Sequence, residues 1–264
     1  MFLIQSVIRN HKVKIQSVLK SHTVKMTIIN QIAKYHKVSH VIFDMDGLLL
    51  ETEQIYEKII RDLAASYGKP YPWEVRMRIL GTTERRTCEI AVAELGLPCT
   101  VDEFQKQFSQ SCLDNLGNCN LMNGAERIVR HFHNNNVPFC LATSSSQESV
   151  VVKTANYPAL FKLFHHKVCG STDPDVKQGK PAPDIFLVAC QRFPGNIKPE
   201  DCLVFEDAPN GCRAAKLAGM QVVMVPDSHV TEKQKEDATV VLKNLLHFKP
   251  EEFGLPPFAD INEE

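Results

Sequence analysis

Val41-Ile42-Phe43-Asp44-Met45-Asp46-Gly47 is the stretch on which the fold of this chain turns. Its apolar run is too short for a buried helix, and β-branched Val41 and Ile42 favour a pleated strand. A run without polar alternation reads as a strand covered on both faces, as in a parallel sheet inside an α/β domain. Two carboxylates follow at its carboxyl end, and Gly47 then lets the backbone turn. In open α/β sheets that edge is where ligands bind. Asp44 and Asp46 would repel one another there unless a cation or a proton intervened. A hard divalent metal, Mg²⁺ first, is therefore expected, with one carboxylate free for chemistry.

Working outward, Thr52 is placed to cap a helix reaching Tyr67, and Gly68-Lys69-Pro70 to stop it. From Tyr71 to Leu121 no strand-like run occurs. Cys88, Ile90, Ala91 and Leu95, then Phe104, Phe108, Cys112 and Leu116, recur at helical spacing. Three or four helices are expected there as an insert, because α/β crossovers are usually shorter. The strand–helix rhythm then resumes. A helix over 125–135 precedes an apolar run over 137–142, which ends in Thr143-Ser144-Ser145-Ser146 at the start of another helix. Strands are expected around 167–169, 202–205 and 221–226, and Gly179-Lys180-Pro181 opens a helix over 184–192. The alternation predicts an α/β fold, a Rossmann-like doubly wound parallel sheet with right-handed crossovers. The expected organisation is a basic extension over 1–37, an α/β core over 38–52 and 121–250, a helical insert over 53–120 and a tail over 251–264.

Composition narrows the partners. A formal net charge of −1 gives no reason to expect nucleic acid or an anionic membrane, and no apolar span of membrane-crossing length occurs. The nine cysteines show neither CxxC pairs nor zinc-like spacing, which fits a reducing, cytoplasmic location. Ahead of Asp44 there is no acid, while Arg9 and six lysines from Lys12 to Lys37 are basic. A mitochondrial presequence is the alternative reading of that stretch, although lysine outweighs arginine in it.

Strand ends collect the chemistry. Asp44 and Asp46 close one strand, Thr143 a second and Glu206-Asp207 another, with Lys180 on a loop between them, so all should reach one carboxyl edge. Phosphoryl transfer needs a nucleophile, a cation, donors around the phosphate and a proton for the leaving group. Asp44 is the expected nucleophile, forming an aspartyl-phosphate, and Asp46 the acid that later becomes a base. Asp44, Asp46, Glu206 and Asp207 are the expected Mg²⁺ ligands. Lys180 should offset their charge, while Gly47, Thr143 and Ser144 offer phosphate donors near a helix start. Arg85, or Arg86 beside it in Gly81-Thr82-Thr83-Glu84-Arg85-Arg86, is the candidate contact from the insert.

Asp44-Met45-Asp46-Gly47, Thr143, Lys180 and Glu206-Asp207, in that order, resemble the four motifs of the haloacid dehalogenase superfamily. The insert resembles that superfamily's C1 cap, so the likeness covers residues 38–250. It implies a Mg²⁺-dependent phosphatase for a small phosphorylated metabolite, working as a monomer or weak dimer. Three whole phrases, ending in Cys202-Leu203-Val204-Phe205-Glu206-Asp207 and the residues after it, look most like members that hydrolyse pseudouridine 5′-monophosphate. The superfamily's hexose-phosphate mutases carry histidine where this chain has Tyr56 and arginine where it has Glu84, which implies transfer to water here.

Overall fold

The structure is a computed structural model and describes residues 33–259. Of the basic stretch over 1–37, read as an extension or presequence, residues 1–32 lie outside the described ones. The described residues form two contact units. In the smaller, the amides of Lys34 and Tyr35 donate to the Glu252 carbonyl, and the Tyr35 ring stacks on Phe253 at 4.7 Å.

The larger unit, Val38–Phe248, holds a six-stranded sheet in which every pairing is parallel. Its strands are β1 (His40–Phe43), β2 (Phe139–Thr143), β3 (Lys167–Cys169), β4 (Cys202–Glu206), β5 (Gln221–Met224) and β6 (Val240–Val241), in the order β3-β2-β1-β4-β5-β6. Between β1 and β2 lie α1 (Glu53–Ser66), α2 (Trp73–Ile79), α3 (Glu84–Leu95), α4 (Val101–Asn115) and α5 (Ala125–Asn134). Later helices are α6 (Gln147–Thr154), α7 (Pro158–Phe161), α8 (Asp184–Gln191) and α9 (Pro209–Leu217). Both β1 and β4 are buried at every position, as strands covered on two faces must be.

Two apolar bodies result. The sheet packs against α8 and α9 through Ile42, Val204, Phe186 and Ala215, among others. Helices α1 to α4 form a separate cluster around Phe104, Phe108, Ile60 and Cys88. The latter is the helical insert, with α4 entered through a capping box between Thr100 and Glu103.

The strand order reverses direction at β1, since β2 and β3 lie to one side and β4 to β6 to the other. Such a switch point opens a crevice at the carboxyl ends of the two strands that flank it. Phe43 is in register with Phe205 and with Leu141, so Asp44 emerges beside Glu206 and Ala142.

Candidate active site at the carboxyl edge of the sheet

Register alone brings Asp44 and Glu206 together, and Asp207 follows on the turn into α9. Ligand atoms of Asp44, Glu206 and Asp207 all lie within 4.8 Å of one another, and all three side chains are buried. Lys180 reaches the same point from the loop before α8. Its Nζ donates to Asp44 Oδ1 at 2.5 Å and to Glu206 Oε1 at 2.5 Å. Two glycines make the approach possible. A Cβ on Gly211 would stand 1.9 Å from the Glu206 carboxyl carbon, and one on Gly47, whose φ is +77°, would stand 2.2 Å from Asp207 Oδ2.

Three acids sharing one lysine carry excess negative charge. Burial, with the repulsion of Glu206 added and the pull of Lys180 subtracted, holds Asp44 up at about 8. Asp207 is likewise raised, by burial first and then by Glu206 and Glu53. A divalent cation would cancel the surplus, so the donor set fits Mg²⁺: buried, all oxygen and two charges short of neutrality.

That imbalance predicts a pH response of the metal-free protein. Asp44 binds a proton in the folded state up to about 8, whereas the unfolded carboxyl releases it near 3.8. Stability must therefore fall as pH rises between those values, because there the folded state holds more protons than the unfolded chain. Thermal melts with chelator should give a higher midpoint at pH 5 than at pH 8, and Mg²⁺ should remove the difference.

Asp46 stands apart from this group, against the expectation that it is a ligand. Its Oδ1 accepts from Thr52 Oγ1 at 2.8 Å and from Lys153 Nζ at 2.7 Å. Its Oδ2 accepts from Ser145 Oγ at 2.8 Å and from Thr143 Oγ1 at 3.3 Å. Burial would raise this carboxyl, but the Lys153 charge and the donors outweigh burial and hold it below the usual aspartate range. Thr52 thus spends its hydroxyl on Asp46 and gives no side-chain cap to α1. Thr143 is not at a helix start either. The helix begins at Gln147, capped by Ser146, and the Thr143 hydroxyl faces Asp46.

Ser144 lines the cavity above Asp44 and donates to the Gly81 carbonyl of the insert at 3.1 Å. Asn210 makes a second bond across, donating to the Leu80 carbonyl at 2.9 Å. The loop carrying Gly81 is therefore seated on the sheet edge. Arg85 does not share the cavity of Asp44. It is half-exposed and pairs with Asp102 and Gln105 on the surface of the insert. Arg76 lines the cavity instead, held by Glu57 at 2.7 Å.

The comparisons agree with this geometry. A profile of haloacid dehalogenase-like hydrolases matches residues 38–219. A Drosophila melanogaster protein named "Probable pseudouridine-5'-phosphatase" is 51% identical over 224 residues, which span 85% of this chain and 97% of that protein. An Arabidopsis thaliana protein named (DL)-glycerol-3-phosphatase 2 is 42% identical over 228 residues, covering 85% of this chain and 95% of its own. A solved structure of CbbY from Rhodobacter sphaeroides in complex with phosphate covers 80% of this chain and 96% of that one. Its TM-score is 0.66 at 21% identity, a likeness of fold. The chain belongs to the haloacid dehalogenase-like hydrolases and, standing among relatives named as phosphatases, is a phosphoric monoester hydrolase.

Proposed function

We propose that the chain is a Mg²⁺-dependent phosphatase that hydrolyses pseudouridine 5′-monophosphate through an aspartyl-phosphate on Asp44. The observation that carries the chemistry is the buried Asp44–Glu206–Asp207 group around Lys180, with a separately held Asp46 beside it. Asp44, Glu206 and Asp207 would hold the metal, which offsets phosphate charge when bound. An Asp44 oxygen attacks phosphorus. The bond to the leaving oxygen breaks, and that oxygen takes its electron pair and a proton from Asp46, whose carboxyl the arriving anionic phosphate must first raise out of the low range in which Lys153 holds it. Water then attacks the aspartyl-phosphate and gives its proton to Asp46, while the electron pair of the broken P–O bond returns to Asp44. Lys180 steadies Asp44 through both steps.

Room for the substrate is divided. The cavity that contains Asp44 and Asp46 measures about 80 Å³, enough for little beyond a phosphoryl group. Glu84 and Ser149 also border a neighbouring crevice of about 440 Å³ with Arg85, Gln105, Ser109 and Ser146 on its walls. A hydroxyl-rich leaving group such as a ribonucleoside suits those polar walls. The sequence likeness to the Drosophila melanogaster protein supports the pseudouridine assignment, and the likeness to the Arabidopsis thaliana glycerol-3-phosphatase supports a polyol phosphate as second reading.

Phosphate release from pseudouridine, uridine and glycerol monophosphates, each with and without Mg²⁺, tests both. The expected result is a kcat/KM highest for pseudouridine monophosphate and turnover lost on chelation. A preference for glycerol phosphate would transfer the assignment to the second reading, and turnover undiminished by chelator would remove the metal.

A further inference from the structure

Lys153 carries out no step of the mechanism above, yet it is the most completely buried cation beside the reacting groups. Its side chain is 0% exposed. It projects from α6, and its Nζ donates to Asp46 Oδ1 at 2.7 Å and to Ser145 Oγ at 2.6 Å. The same ammonium lies 4.8 Å from the ring centroid of Tyr56 on α1. A lysine buried for packing alone is replaceable by an apolar residue of similar volume at little cost. This one is bonded to the carboxylate assigned the proton, and among the described residues it is the only charged group of that carboxylate's four donors.

The site therefore holds two buried lysines, each matched to one aspartate: Lys180 to Asp44 and Lys153 to Asp46. Both are needed on electrostatic grounds. Asp46 is two residues from Asp44 and must stay in place when an anionic phosphate arrives between them. Thr52, Thr143 and Ser145 orient it but bring no charge, so repulsion would drive it off without Lys153. We propose that Lys153 is a positioning residue for proton transfer: its grip on Oδ1 keeps Asp46 where it can serve the leaving oxygen and then the attacking water. The inference rests on the aspartyl-phosphate reading.

The test compares Lys153→Met with Asp46→Asn and Asp44→Asn in the full chain with Mg²⁺, on two substrates. p-Nitrophenyl phosphate releases its leaving group without a proton, and glycerol phosphate does not. Lys153→Met should lower steady-state turnover of glycerol phosphate by about 10²-fold, the range of acid–base catalysis, with KM little changed. On p-nitrophenyl phosphate it should give a burst of one p-nitrophenolate per site and then slow turnover, as Asp46→Asn should, because only the water step still needs the base. Wild-type rates on both substrates, or equal losses on both with no burst, would overturn the inference. Should Lys153→Met fail to fold, Lys153→Ala is assayed with added methylamine: saturable recovery of turnover is expected, and no recovery overturns it. Asp44→Asn separates the two readings. Turnover by that variant defeats the covalent mechanism itself, whereas an inert Asp44→Asn beside a fully active Lys153→Met defeats the role of Lys153 alone.

Discussion

Asp44→Asn should abolish phosphate release and leave the fold standing. Removing an enzyme's nucleophile costs on the order of 10⁶-fold in kcat, because the remaining groups cannot form the covalent intermediate. Asn keeps the shape of Asp and an oxygen at the position that accepts from Lys180 Nζ at 2.5 Å. The amide also relieves crowding, since burial and the neighbouring Glu206 already hold the Asp44 carboxyl up at about 8. Melting temperature without metal should therefore be equal to or above that of the wild type, while turnover falls to the background of the assay. Phosphate release and a thermal melt on one preparation measure both. A variant that keeps more than a trace of activity would show that another group attacks phosphorus, and the aspartyl-phosphate would go with it.

How much of this site was legible beforehand depends on what each residue's neighbours in sequence reveal. Asp44, Glu206 and Asp207 were readable because each follows a short unbroken apolar run, and in a parallel sheet such runs all point their carboxyl ends to one edge. Lys180 was readable from its place in a loop of the same edge. The division of labour between the two aspartates was not. Spacing in sequence puts Asp46 beside Asp44, but only the assembled structure shows Thr52, Thr143, Ser145 and Lys153 claiming its oxygens.

Lys153 itself was hidden by an inversion of the usual rule. In α6 the side chain of Lys153 is fully buried, while Val151, two residues earlier, is 60% exposed. A hydropathy pattern assigns those two the opposite way, and no local signal marks the lysine as turned inward. Arg76, on the wall of the Asp44 cavity, went unread for a related reason, while Arg85 lines the neighbouring crevice. Both lie on the helical insert, and which space each one borders depends on how α2 and α3 are turned, something helix periodicity in short segments does not fix.

Lys180→Met should damage stability as severely as activity. The lysine side chain is 1% exposed and answers two carboxylates at 2.5 Å each, with a longer bond to the Ala142 carbonyl at 3.3 Å. Breaking a buried pair by removing one partner costs roughly 3–5 kcal/mol, because the other charge stays behind uncompensated. Here the buried trio of Asp44, Glu206 and Asp207 would be left without its lysine. Urea unfolding in chelator should show that loss in full. Mg²⁺ should recover part of it, since the ion would be held by the same oxygens and would supply the missing charge. Activity should not return with the metal, because the lysine that steadies Asp44 during attack is gone.

The double variant Lys180→Met/Glu206→Gln distinguishes charge from packing as the cause. If excess negative charge is what destabilises Lys180→Met, neutralising Glu206 in the same protein must restore stability that Glu206→Gln does not confer on the wild type, giving a coupling above about 1 kcal/mol between the two sites. Additive effects would mean that the lysine's alkyl chain matters and its charge does not, and the electrostatic account of the whole carboxylate group, metal included, would lose its basis.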